Sequence, residues 1–173
     1  MERKRHSLRT RRVVYHGNLY YAARKVIENV QTLGYYKDVL RIYVNRHTPS
    51  AYKWYNHWVK DIPIADVTED YSDNYTVVYK GQSFYIDSIY INTQEVRLTT
   101  GDNYGELQKE MKQIGALCEP YERGYIYFVH LPYNMLEHIT QTHFDYKTNQ
   151  KTVSQITPQQ FWQTTLAVFG EEE

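Results

Sequence analysis

The stretch 75–100, YTVVYKGQSFYIDSIYINTQEVRLTT, carries the strongest β-sheet signal in the chain. Aromatic and β-branched residues alternate with polar ones in three successive runs, at 75–79, 83–91 and 94–99. Short turn sequences separate these runs, namely Lys80-Gly81-Gln82 and Asn92-Thr93. The pattern predicts an antiparallel meander of three strands.

One irregularity interrupts the middle run of the meander. Ile86 and Ile89 are both apolar but lie three positions apart, so a regular strand would direct them to opposite faces. An extra residue at Asp87-Ser88 would return both side chains to one face. We therefore expect a β-bulge at that position.

Patterns on either side of the meander predict a mixed α+β fold. Two further runs rich in β-branched and aromatic residues predict strands, at 38–46 and 124–131. Apolar residues at helical spacing and capping signals predict helices, at 19–33, 48–59, 104–117, 133–142 and 157–169. The acidic stretch 66–74 has no period and predicts a loop. We expect an antiparallel β-meander of about five strands packed against two to four helices.

Length and composition predict a basic arm followed by one domain. A chain of 173 residues can build a single core, and we find no long linker and no internal repeat. The first 12 residues, MERKRHSLRTRR, contain one apolar side chain other than Met1, so we expect a flexible arm at 1–12 that orders on a partner and a single α+β domain at 13–173. No apolar run approaches the ~20 residues of a membrane span, and no apolar segment follows the basic start as in a signal peptide.

Although the net charge is zero, positive and negative residues are unevenly distributed along the chain. Residues 1–60 hold 13 Lys and Arg against 3 acids, a net charge of +10, and residues 61–173 have a net charge of −10. If the fold separates these segments, the molecule has a cationic and an anionic end that suit a polyanion or a neighbouring subunit. If the fold interleaves them, the charges neutralise each other locally.

Basic and aromatic side chains alternate in the first third of the chain. Such a mixture suits phosphate contact with base stacking, or a protein interface, or the packing of a small core. The residues that we predict to contact a partner or nucleic acid are Arg3, Lys4, Arg5, Arg9, Arg11, Arg12, Arg24, Lys25, Arg41, Arg46, Tyr52, Lys53, Trp54 and Lys60.

The sequence offers little support for catalysis. His130, His138 and His143 would have to converge in the fold, and the spacing of five between the last two does not place them on one helix face. The lone Cys118 excludes an intramolecular disulfide and a cysteine-based zinc cluster, and the common nucleotide-binding and acyl-transfer motifs do not occur. We expect no catalytic residue, no cofactor and no metal.

The stretch 75–100 resembles the β-hairpin core of the head-tail adaptor or stopper proteins in the neck of tailed phages. The residues that carry this resemblance are Val77, Tyr79, Gly81, Phe84 or Tyr85, Ile89, Arg97 and Leu98. The resemblance covers about 26 of the 173 residues. It implies a non-enzymatic subunit of a ring around a DNA channel.

These observations favour a non-enzymatic structural or assembly subunit, such as a virion neck or tail component that contacts other protein subunits in a homo-oligomeric ring or among virion neighbours. The alternative is a nucleic-acid-binding protein that uses the basic, aromatic-rich first third to hold DNA. In either case we expect no membrane association and a location in the virion or the host cytoplasm.

Overall fold

A computed structural model describes residues 5–8, 10–23, 39–100, 108–121 and 124–169. Within these ranges the chain is mostly β, with thirteen strands and two α-helices. The strands are β1 (His6–Ser7), β2 (Arg11–Tyr15), β3 (Asn18–Tyr21), β4 (Val39–Tyr43), β5 (Tyr52–Trp54), β6 (His57–Pro63), β7 (Val67–Tyr79), β8 (Gln82–Tyr90), β9 (Glu95–Thr99), β10 (Leu117–Tyr121), β11 (Gly124–Pro132), β12 (Ile139–Asp145) and β13 (Gln150–Ile156). The helices are α1 (Gln108–Gln113) and α2 (Pro158–Phe169). The predicted α+β fold class is therefore wrong.

The strands form one antiparallel sheet of ten strands and one of three. The main path of the large sheet runs β10-β11-β9-β8-β7-β12-β13, and β1 pairs with β8, β2 with β7, and β3 with β2. The small sheet has the order β4-β6-β5, so β6 lies in its centre.

Contacts divide the chain into two compact units. The first unit falls within Met1–Leu8, Asn74–Thr142 and Val153–Leu166. The second unit falls within Arg9–Asp73, His143–Thr152 and Ala167–Glu173. The residues expected in one domain, 13–173, are thus shared between two units.

The first unit contains the predicted meander. β8 pairs with the last residues of β7 on one side and with β9 on the other, and the register shifts between Ile86 and Ser88. Because of this bulge, Ile86 and Ile89 are both buried. The turn at Lys80-Gly81 has positive φ at both residues, which glycine adopts without strain. The meander and the bulge are confirmed, and so is the strand predicted at 124–131, which ends at Pro132.

The terminal helix α2 begins with a reciprocal capping box. The Gln160 amide donates to Thr157 Oγ1 at 3.1 Å, and the Thr157 amide donates to Gln160 Oε1 at 2.9 Å. Phe161 and Trp162 are buried, and the Phe161 ring packs edge-on to Tyr75 with 4.9 Å between the ring centroids. The helix predicted at 157–169 is confirmed from Pro158 onward.

The second unit has a small apolar core between its sheets, made of Val13, Ala22, Leu40, Ile42, Ile62 and Val67. β2 and β3 form a hairpin whose two-residue turn, His16-Gly17, has positive φ at both positions. The helix predicted at 19–33 is therefore wrong over β3, because its first residues pair with Val13 and Val14. Residues 24–33 of that prediction lie outside the described part of the chain. The strand predicted at 38–46 is confirmed as β4.

The loop predicted at 66–74 is wrong, because the long strand β7 crosses it. Its aspartates Asp70 and Asp73 are buried, and they pair with Arg11 and Arg12 of the neighbouring strand β2. Paired charges are far easier to bury than isolated ones. The acidic sequence could therefore become a central strand once a basic strand lay beside it.

Three other predicted helices differ from the structure. The segment 48–59 forms a turn and the hairpin β5–β6, because its aromatic residues suit two-residue alternation as well as helical spacing. The segment 133–142 contains one turn of 3-10 helix and then β12. Of 104–117, Gln108–Gln113 is helical and Leu117 begins β10, and residues 104–107 lie outside the described ranges.

Candidate functional site: an aromatic hairpin

The hairpin β5–β6 presents aromatic side chains on both faces. Its register pairs Tyr52 with Val59, Lys53 with Trp58 and Trp54 with His57, so the turn consists of Tyr55 and Asn56 alone. Directly paired residues share a face of an antiparallel pair, and neighbours along a strand alternate between faces. Trp54 and His57 therefore lie on one face, and Lys53 and Trp58 on the other.

A partly buried ion pair supports the face that carries Tyr52 and Trp54. Arg41 of β4 donates two hydrogen bonds to Asp61 of β6, at 2.8 and 3.0 Å, and the Tyr52 hydroxyl donates to the same carboxylate at 2.8 Å. The Arg41 guanidinium lies 4.9 Å from the ring centroid of Trp54 and 5.4 Å from that of Tyr52. Each aromatic ring is thus fixed by cation–π contact as well as by packing.

The electrostatics of this pair alter two pKa values. Partial burial by itself raises the pKa of Asp61, but hydrogen bonds from Arg41 and Tyr52 and the charge of Arg41 lower it below its usual value of 3.8. Burial, together with the hydrogen bond to Asp61 and its negative charge, raises the pKa of Tyr52 to about 12. Asp61 is therefore anionic and Tyr52 neutral at pH 7.

Among the described residues of the second unit, Tyr55 at the tip of the hairpin has the most exposed aromatic side chain. Tyr55 is 81% exposed, and Trp58 and Tyr52 are 39% and 37% exposed. Tyr55 has φ of +52°, a conformation that costs an L-residue about 1–2 kcal/mol. Its ring contacts Trp54 edge-on, with 5.2 Å between the centroids. A bulky residue is therefore held in an unfavourable conformation although its ring gains little from burial.

The charged residues that precede Asp61 in this sheet are all positive. The segment 39–60 contains four Lys and Arg and no Asp or Glu. Arg41 is neutralised by Asp61, and the Lys60 ammonium lies 5.9 Å from the centroid of the half-buried Tyr15 ring. Lys53 is exposed opposite Trp58, and Arg46 is exposed and donates to the His47 ring at 3.0 Å. Lys53 has no ion pair with any residue in the described ranges.

Three of the other arginines predicted to contact a partner form ion pairs within the chain. Arg11 binds Asp70 through two hydrogen bonds of 2.9 and 2.6 Å, and Arg12, only 1% exposed, lies 3.4 Å from Asp73. Arg5 donates to Asp87 at 3.0 Å. For these residues the fold interleaves the basic and acidic segments. The remaining predicted residues Arg3, Lys4, Arg9, Arg24 and Lys25 lie outside the described part of the chain.

Two short parts of the first twelve residues belong to strands of the large sheet. His6 and Ser7 pair with Ile89 and Ser88, and Arg11 and Arg12 belong to β2. This placement differs from the flexible arm that we expected at 1–12. The cause is pairing of the arm's arginines with carboxylates of β7 and β8, which composition alone does not reveal.

The three histidines considered for catalysis have different surroundings. His143 Nδ1 lies 2.9 Å from the buried carboxylate of Asp73, and its ring packs against Tyr71. His130 packs against Tyr90 and Phe128, and the exposed His138 lies directly before β12 with a φ of +50°. In the described ranges no group of three or more His, Cys, Asp or Glu side chains is arranged to hold a metal ion.

Sequence reasoning placed Tyr52, Lys53 and Trp54 in the site but omitted Tyr55, Trp58 and Asp61. A helix at 48–59 would have turned Trp58 toward a core, and only the hairpin register reveals its exposure. The available signal was the dipeptide Tyr55-Asn56, because asparagine is frequent in two-residue turns. Tyrosine is not a typical residue at the first position of such a turn, so the sequence did not clearly indicate the turn.

Comparison with protein-family models, curated proteins and solved structures gives no match. Among the described residues, no helix has the length and apolar character needed to cross a membrane.

Proposed function

We propose that the chain is a non-enzymatic structural subunit that joins a larger assembly through the hairpin β5–β6. The observation that carries this proposal is the exposed tip with Tyr52, Tyr55 and Trp58 beside Lys53. Tyr and Trp, together with Arg, are the residues most enriched among those that dominate the binding energy of protein interfaces. A strained, exposed tyrosine is expensive for the isolated fold, and a partner that buries its ring would offset that cost.

The assembly is best identified with the neck or tail of a tailed-phage virion. Support comes from the resemblance of 75–100 to head-tail adaptor and stopper proteins, and from strands that account for most of the described chain. The subunit would then assemble in the host cytoplasm and remain in the virion. Its neighbours would be copies of itself or other virion proteins.

The proposal is tested by the size of the complex that contains the chain at its natural expression level. Extracts are separated by sedimentation, and the wild-type chain is expected in a fraction much heavier than 20.8 kDa. Tyr55→Asn is expected to shift the chain to the monomer position. Tyr85→Asn, which removes a 53% exposed tyrosine from β8, serves as the control and should leave the complex intact. A wild-type chain found only as a monomer would contradict the proposal.

The nucleic-acid alternative has one specific observation in its favour, the combination of exposed Lys53 and Arg46 with stackable rings. The internal ion pairs of Arg5, Arg11 and Arg41 argue against it, because those cations are already neutralised. Binding to labelled single- and double-stranded DNA over a salt series separates the two functions. A steep loss of affinity with salt, flattened by Lys53→Glu, would favour nucleic acid.

A further inference from the structure

The exposed hairpin has a complementary feature in the first unit. Residues Leu136, Ile156 and Pro158 contribute the apolar lining of a hollow of about 350 Å³, and Glu137 and His138 also line it. A cavity of about 150 Å³ can hold a benzene ring, so this hollow has room for one aromatic side chain. Its lining is mainly apolar, with a carboxylate at one side.

The charges of the two features also match. Glu137 is exposed and has no ion pair with any side chain that the structure describes. Lys53 is exposed and likewise unpaired within those ranges, and it precedes the tip residue Tyr55 by two positions. The aromatic knob formed by the Tyr55 side chain has a cation beside it, and the apolar hollow has an anion beside it. The two features are therefore complementary in charge.

We propose that two copies of the chain join head to tail, with Tyr55 of one copy in the hollow of the next and Lys53 facing Glu137 of that copy. The inference rests on the proposed function, for which it names the partner as a second copy of this chain. The knob and the hollow are different surfaces, so the contact is heterologous. Repetition of such a contact produces a closed ring or an open filament.

The strained conformation of Tyr55 allows a substitution that tests the proposal without destabilising the turn. Asparagine tolerates positive φ better than tyrosine, so Tyr55→Asn removes the knob without harming the turn. We expect this variant to fold at least as well as the wild type and to lose self-association by about 30-fold or more, as for a hot-spot residue. Misfolding cannot then account for the loss.

The test measures self-association of the purified full chain by sedimentation velocity over a concentration series. The single variants Lys53→Glu and Glu137→Lys are each expected to weaken association by about tenfold, and the double variant Lys53→Glu/Glu137→Lys to restore it. Lys151→Glu reverses an exposed lysine of β13 and is the matched control, which should behave as the wild type. High salt should weaken the wild-type contact.

Each outcome decides the matter. Rescue by the double variant, together with loss on Tyr55→Asn, supports the head-to-tail contact. A wild-type chain that stays monomeric when purified overturns it, yet the proposed function stands if the chain sediments as a heavy complex in extracts. Association that responds to the hairpin variants but not to Glu137→Lys also overturns it, because the hairpin then docks elsewhere. Monomers in both experiments contradict both proposals.

Discussion

At the residue scale, two side chains of the second unit show how the site is organised. Asp61 receives hydrogen bonds from Arg41 and Tyr52 and so joins all three strands of the small sheet. Tyr55 contributes little to this framework and occupies a conformation that disfavours tyrosine. One residue therefore stabilises the hairpin, and the other is available for binding.

The lowered pKa of Asp61 predicts a pH dependence of stability. The folded-state pKa lies below 3.8, so the contribution of Asp61 is present above that value and is lost as the pH falls through the folded-state pKa. When the pH is lowered from about 5 to about 2, the unfolding free energy of Asp61→Asn should decrease less than that of the wild type. Urea titrations at each pH measure this difference. Asp66→Asn, at an exposed position, is the control and should follow the wild type. If the unfolding free energy of Asp61→Asn and that of the wild type changed equally with pH, the interpretation would be contradicted.

The strain at Tyr55 predicts a stabilising substitution. Tyr55→Asn should raise the unfolding free energy by about 1 kcal/mol, because asparagine reaches positive φ at lower cost. Tyr85→Asn, at an exposed position within strand β8, should instead lower it by up to about 1 kcal/mol, because asparagine is unfavourable in strands. Urea denaturation measures both. A loss of stability in Tyr55→Asn would show that the ring supports the fold.

At the element scale, two hairpin turns and the start of α2 are determined by short-range contacts. The turns His16-Gly17 and Lys80-Gly81 place two adjacent residues at positive φ, and each joins two strands of one antiparallel pair. The start of α2 is fixed in the same local way by Thr157 and Gln160. Such elements depend on residues only a few positions apart.

The capping box of α2 predicts that loss of the Thr157 side chain lowers the stability of the protein. Thr157→Ala removes the acceptor for the Gln160 amide and should lower the unfolding free energy by about 1 kcal/mol in chemical denaturation. Thr164→Ala, at an exposed position inside the same helix, should leave stability unchanged or raise it slightly, because alanine favours helix interiors. Equal effects of the two substitutions would mean that the cap contributes nothing.

At the scale of the whole molecule, charge pairing between distant segments shapes the fold. Arg11 and Arg12 meet Asp70 and Asp73, about 60 residues later in the chain. Removal of residues 1–12 should therefore destabilise the fold as well as any assembly. Removal of a dispensable arm would instead leave the stability of the fold unchanged.

The buried pair Arg12–Asp73 provides the quantitative test of this pairing. Arg12→Met should cost about 3–5 kcal/mol of unfolding free energy, because it leaves a buried carboxylate without its arginine. The double variant Arg12→Met/Asp73→Leu should cost less than the sum of the two single variants. Arg5→Met, in a pair whose arginine is 45% exposed, is the control and should cost no more than about 1 kcal/mol. Additive effects at Arg12 and Asp73 would contradict the coupling.

The site could be predicted in part. Its basic and aromatic composition identified Tyr52, Lys53 and Trp54, because composition is visible along the chain. The roles of Arg41 and Asp61 could not be predicted, since their contact depends on the pairing of β4 with β6. Helical spacing and strand alternation both fit 48–59, and only that pairing selects the strand.

The sequence by itself determined the meander at 75–99, its bulge, the strands β4 and β11, and the helix α2. Each follows from alternation, turn residues or caps within a few positions of the chain. Only the tertiary structure decided that the acidic stretch 66–74 is a strand, that the basic start of the chain joins the sheet, and that Tyr55 and Trp58 face solvent. The physical reason is that a buried charge or an exposed ring depends on the side chain that lies opposite, and that neighbour comes from another part of the chain.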